Sequence, residues 1–177
     1  MPRDIKRIVT GHDAQGRSNI TFNGLATNLL NSEAWPGSRV TELWVSEEIP
    51  VDNTGLVDRG ARKIRHDPTP GGSIFRVVEV PPESAGKMDT AKTFAELGST
   101  HVPTAEDSAR HPTMHVTDSV DYLVVISGEM HMIMEDGEVL LQAGDCIVQR
   151  GTKHAWSNRG SVPCVMAAIL IDAKPVK

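Results

Sequence analysis

His115-Val116-Thr117-Asp118-Ser119-Val120-Asp121-Tyr122-Leu123-Val124-Val125-Ile126-Ser127-Gly128 is the stretch on which the fold turns. Residues 121–127 form a short β-branched and aromatic run closed by Ser-Gly, the pattern of a strand rather than of a helix. Outward from it, 129–135, 138–142, 145–149 and 163–171 read as further strands, separated by Gly128, Asp136-Gly137 and Ala143-Gly144. Asp-Gly supplies positive φ at the corners of a tight hairpin, so successive strands are expected to pair antiparallel. Tyr122 to Ile126 is apolar at every position, which predicts one face turned into a barrel and the other against a second sheet or subunit. A homodimer is the expectation.

The first half is more loosely written. Strand-like runs occur at 7–10, 19–23, 39–46 and 73–80, and Pro81-Pro82 ends the last because proline cannot donate to a ladder. Residues 83–110 lack strand periodicity and hold one short helical candidate, 89–97. That stretch reads as a lid or as an insertion without fixed structure, with the lid preferred. The expected fold is all-β with one short helix. A single domain spans 1–177: a strand-rich N-terminal arm (1–82), the loop or lid (83–110) and a core (111–177).

Hydrophobic residues make up 39% and charged residues 23% of the chain, ordinary globular proportions that exclude a disordered chain. A formal charge of -5 with scattered Lys and Arg excludes a phosphate-neutralising surface, so no nucleic-acid partner is expected. Cys146 and Cys164 sit in apolar runs and read as buried free thiols, which suits a reducing compartment. Neither a signal-peptide core nor an apolar run of bilayer length is present, and the expectation is a soluble cytoplasmic protein without membrane contact.

Three side chains carry the chemistry. Two imidazoles and one carboxylate form a facial set that leaves open positions on a divalent metal, and His115, His154 and Asp121 are such a set. Thr117 shares the face of His115 by strand spacing, and His111 is a further candidate ligand or a loop cap before Pro112. Without a metal, the same His115, Asp121 and His154 would serve as acid and base in a polar pocket, or the site would be vestigial. Trp156 is a candidate stacking wall for substrate or a plain core residue. Met132, with Met130 and Met134, forms a soft core or pocket wall, while His131 on the other face reads as surface. Gln149 is a candidate substrate contact, and the neighbouring Arg150 a carboxylate clamp or a surface ion pair. No Gly-x-Ser-x-Gly elbow and no glycine-rich loop opening a helix occur, which argues against acyl-enzyme, phosphoryl-transfer and dinucleotide chemistry.

These residues resemble the two motifs of the cupin superfamily. The first has two histidines one residue apart, then an acid, then a glycine seven positions later; His115, Asp121 and Gly128 match it, with Thr117 in the second histidine's place and Asp in place of Glu. The second runs from a glycine through a turn to a histidine and an asparagine, matched by Gly144, Gly151, His154 and Asn158 without the usual proline. The strings from His115 to Tyr122 and from Gly144 to Trp156 are similar to those of small single-domain cupins of bacteria and of fungal polyketide pathways. The resemblance implies an RmlC-like jelly roll, a double-stranded β-helix. It implies an enzyme with a divalent metal (Fe, Mn, Zn or Ni) acting on an aromatic or polyketide-like organic acid by oxidation, decarboxylation or dehydration. The alternatives are a metal-free isomerase or dehydratase and a small-ligand-binding barrel without turnover.

Overall fold

The computed structural model describes residues 4–99 and 101–176. Eleven strands follow in chain order: β1 (Lys6–His12), β2 (Ser18–Leu25), β3 (Leu29–Asn31), β4 (Arg39–Ser46), β5 (Ser73–Val80), β6 (Ser119–Ser127), β7 (Glu129–Met134), β8 (Glu138–Gln142), β9 (Cys146–Arg150), β10 (His154–Ser157) and β11 (Cys164–Asp172). Between β5 and β6 lie a 3₁₀ turn (Glu83–Ala85) and two helices, α1 (Thr90–Glu96) and α2 (Ala105–Arg110). No helix among the described residues is long and apolar enough to cross a membrane.

The chain folds as a jelly roll. A six-stranded sheet in the order β3-β4-β5-β11-β6-β9 faces a three-stranded sheet in the order β10-β7-β8, and β1 and β2 form a separate hairpin. The ladders are distinct sheets rather than one hydrogen-bonded ring. All pairings are antiparallel, but β6 pairs with β11 and β9 rather than with its successor β7. The switch occurs at Gly128, which adopts φ +77; a Cβ there would come within 2.6 Å of the Pro163 carbonyl oxygen. Asp136-Gly137 turns β7 into β8 as its sequence demands.

β11 is the central strand, paired with β5 on one side and β6 on the other. Its inward residues, with Val125 of β6 and Met130 and Met132 of β7, build the core between the sheets. Met132 therefore belongs to the packed interior. On the outer face of β6 the apolar pattern continues unburied: Tyr122, Val124 and Ile126 are exposed, beside Phe75, Val148 and Ile169. Cys164 is buried, whereas Cys146 lies on that outer face and is exposed, because the one-residue alternation of β9 turns it away from the core.

Two helices are present where one was expected. α1 starts at an Asp89 cap and buries Thr93 and Phe94. α2 is opened by a capping box, Thr104 with Asp107. The N-terminal half is not an appendage, since β4 and β5 are integral strands of the larger sheet. Asn28, just before β3, donates through Nδ2 to the carbonyls of Gly60 at 2.7 Å and Arg62 at 2.6 Å, pinning the loop between β4 and β5.

Candidate functional site

A chamber of about 150 Å³ opens between the two sheets. That volume is roughly what a single benzene ring occupies in a protein interior. Its walls are mostly apolar, including Trp35, Val78, Leu97, Trp156 and Met166, and at one end His66, Arg76, His115, Thr117, Asp121 and His154 supply polar groups. Such an apolar pocket with a few convergent polar groups is the usual form of a small-molecule site.

His115 and His154 are brought together by a two-residue backbone bridge in which each N–H donates to the other's carbonyl at 2.9 Å. The antiparallel bridge puts both side chains on one face, with ring centroids 4.3 Å apart. Each Nδ1 donates to a carbonyl two residues upstream, that of Thr113 at 2.7 Å for His115 and of Thr152 at 2.9 Å for His154. This fixes the neutral tautomer with a lone pair on Nε2. Burial drives both imidazoles toward the neutral form: His154 is lowered to about 4, and His115 falls well below the ordinary value through burial and its histidine neighbours.

Asp121 reaches the chamber from β6, and Ser119, two residues earlier on the same face, donates to its Oδ1 at 2.6 Å. Ser119 Oγ also lies 2.9 Å from Thr117 Oγ1, so Thr117, Ser119 and Asp121 form a buried row of oxygens. Burial raises the Asp121 carboxyl to about 6 against the opposing pull of the Ser119 hydroxyl, His66 and Arg76. The threonine that replaces a motif histidine is thus part of a hydroxyl–carboxyl chain.

Two side chains of the chamber carried no signal in the sequence. His66, from the loop between β4 and β5, is buried and packs its ring 5.0 Å from His115 and 5.4 Å from Phe94. Its Nδ1 lies 3.2 Å from Asp67 Oδ1. Arg76, on the inward face of β5, donates from Nη2 to Glu42 Oε2 at 3.0 Å and to the Arg65 carbonyl. Phe94 of α1 closes the wall over His66 and His115. Periodicity could have placed Arg76 inward, but not told a buried ion pair from an error of strand register.

Other expected residues fall elsewhere. Trp156 does line the chamber, edge-on to His154 at 5.4 Å. Gln149 does not: it is buried with its amide spent on Thr152, donating to the carbonyl at 2.8 Å and accepting from the hydroxyl at 3.1 Å. Met132 packs in the core, and Arg150 is exposed on the outside of β9. His111 faces the other way, its Nδ1 accepting from the Thr113 N–H and its Nε2 lying 3.1 Å from Glu83 Oε1. Among the described residues no three His, Cys, Asp or Glu side chains are grouped to hold an ion, while the rings of His115 and His154 adjoin and that of His66 packs beside them.

Comparison with known proteins places this architecture. The family described as Cupin domain matches residues 99–171. Phomopsin biosynthesis cluster protein C' of Diaporthe leptostromiformis is 30% identical over 99% of this chain and 82% of its own length. Cupin-domain-containing oxidoreductase virC of Hypocrea virens is 27% identical over 96% of this chain and 77% of its own. Oryzines biosynthesis cluster protein J of Aspergillus oryzae is 46% identical over 37% of each chain. With a jelly roll, both motifs in place and a full-length relative at this identity, the chain belongs to the cupin superfamily.

Proposed function

We propose that this chain is a small-molecule enzyme of the oxidoreductase kind that gives several of its fungal relatives their names, acting on an aromatic or polyketide-like organic acid of about one ring. One observation carries the reading. Two imidazoles, the half-buried His115 and the buried His154, each held at Nδ1 by a backbone carbonyl, share a mostly apolar chamber with a carboxyl group whose pKa is raised. Nε2 of each neutral imidazole offers a lone pair to a substrate proton, and the Asp121 carboxyl keeps its own proton up to mildly acidic pH. The chain's own share of the reaction is therefore to seat the ligand against apolar walls, exclude water, and move a proton between a substrate atom and Nε2 of His115 or His154.

A second reading, isomerisation or dehydration by the same groups, draws support from the neutral imidazoles and the raised carboxyl, which can move protons without a change of oxidation state. One experiment separates the two. The purified chain is incubated in air, with dioxygen as the oxidant, with substituted benzoic and 3-oxo acids, with and without added Fe, Mn, Zn or Ni, and products are weighed by mass spectrometry. A change corresponding to two hydrogens or one oxygen supports oxidoreduction. An unchanged mass or the loss of water supports the second reading. Absence of conversion across the panel, or conversion that survives His154→Gln, overturns both.

A further inference from the structure

Three arginines of the described residues, Arg7, Arg39 and Arg76, have a buried Nε without a hydrogen-bond partner. Only Arg76 of the three lines the chamber. Its guanidinium is almost wholly buried, with 5% of the side chain exposed. A guanidinium carries five N–H donors and no acceptor, and both hydrogen bonds of Arg76 leave from Nη2, so the fork is not filled by the protein.

The carboxylates that act on Arg76 are Glu42, then Asp121, then Asp67, and of these only Asp121 lines the chamber. Glu42 takes Nη2, and Glu42 and Asp67 line a different cavity of about 240 Å³ together with Arg62, Lys63 and Arg65. The Arg76–Glu42 and His66–Asp67 pairs thus form a wall between two cavities, with Arg76 and His66 on the chamber side. Asp121 is the remaining carboxylate of the chamber, and burial already disfavours its charged form.

We propose that Arg76 is the receptor for a carboxylate of the ligand, held by the guanidinium while the apolar body of the ligand lies against Trp35, Val78 and Leu97. This assignment rests on the reading of the chamber as the substrate site. It moves the clamp from Arg150, on the outer face, to the inner face of β5. It also fixes orientation, because a ligand anchored at Arg76 turns its other polar groups toward His66, His115 and His154.

Binding of benzoate and of its neutral isostere benzamide to the full chain, followed by calorimetry, tests it. Benzoate is expected to bind at least about tenfold more tightly, the scale of one charge-assisted hydrogen bond. Glu42→Gln, which removes the competing carboxylate, is expected to strengthen benzoate binding several-fold and leave benzamide unchanged. Arg76→Leu combined with Glu42→Leu removes the pair together, so that no charge is left buried alone, and should abolish the preference. If that double variant does not fold, the wild-type comparison and Glu42→Gln still decide. Equal affinities for the two ligands would overturn the role of Arg76 while leaving the chamber as a binding site. Failure of both ligands to bind would overturn the chamber reading as well. A Glu42→Gln protein that binds benzoate no better would show that Arg76 serves only the fold.

Discussion

Replacing Asp121 with Asn should make the protein more stable at neutral pH and no more stable in acid. Burial raises the carboxyl from 3.8 to about 6, so the folded state holds its proton over an interval in which the unfolded chain has released it. Each pH unit of such an interval is worth about 1.4 kcal/mol, and the whole of it about 3 kcal/mol. The wild type loses that stability as pH rises from 3.8 through 6. The amide of the variant never ionises, and its oxygen still accepts from Ser119, so little else changes. The stability of the variant minus that of the wild type should therefore climb between about pH 4 and 6 and level off above it, about 3 kcal/mol higher than at the acid end. Urea unfolding at half-unit intervals from about pH 4 to 7.5 measures this difference. His115 and His154 titrate in the same range with the opposite sign, but they are common to both proteins and cancel on subtraction. A difference that is flat with pH, or that falls, would refute the burial of a strained carboxyl at this position.

His154 gives the mirror case. Its folded pKa is lowered to about 4, so the wild type loses stability as pH falls from 6.5 to 4. His154→Gln should recover about 3 kcal/mol at about pH 4 relative to its difference at neutral pH, read from the same urea series. Phe94→Ala removes the wall over His66 and His115, and should cost about 3 kcal/mol in unfolding free energy, measured by the shift in urea midpoint. The exposed row Phe75, Ile169, Tyr122 and Val148, with Val124 and Ile126 beside it, is the surface through which a homodimer is expected to form. Light scattering should give twice the chain mass for the wild type and the monomer mass for Val124→Glu; a monomeric wild type would remove the proposal.

The features that the sequence makes plain are those decided within a few residues. Alternation sets the inward face of β6, on which Asp121 lies, and Asp136-Gly137 is expected to turn. His115 and His154 are legible through motif order, and their meeting follows from a local bridge. Strand pairing is less legible, because the switch of sheets at Gly128 depends on how closely the chain passes Pro163, a contact distant in sequence. β10, only four residues long, does not stand out from the loop after Gly151. α2 is shorter than two helical turns, so its apolar pattern is silent although Thr104 and Asp107 have capping-box spacing. His66 escapes periodicity altogether: it lies in an irregular loop whose path is set by tertiary anchors. Arg76 is one of many scattered charges until its strand is placed between β4 and β11.

The loop between β4 and β5 meets the rest of the molecule at a handful of points: Asn28 holds its carbonyls, Arg65 receives Arg76, and His66 enters the chamber. The paired imidazoles, by contrast, come from the segments of the two motifs in the second half of the chain. Reactivity and ligand choice are thereby housed in separate stretches of polypeptide. A protein engineer could graft a different sequence between Asn28's two anchors and β5, retuning which molecules are admitted, provided that His66 is kept against His115.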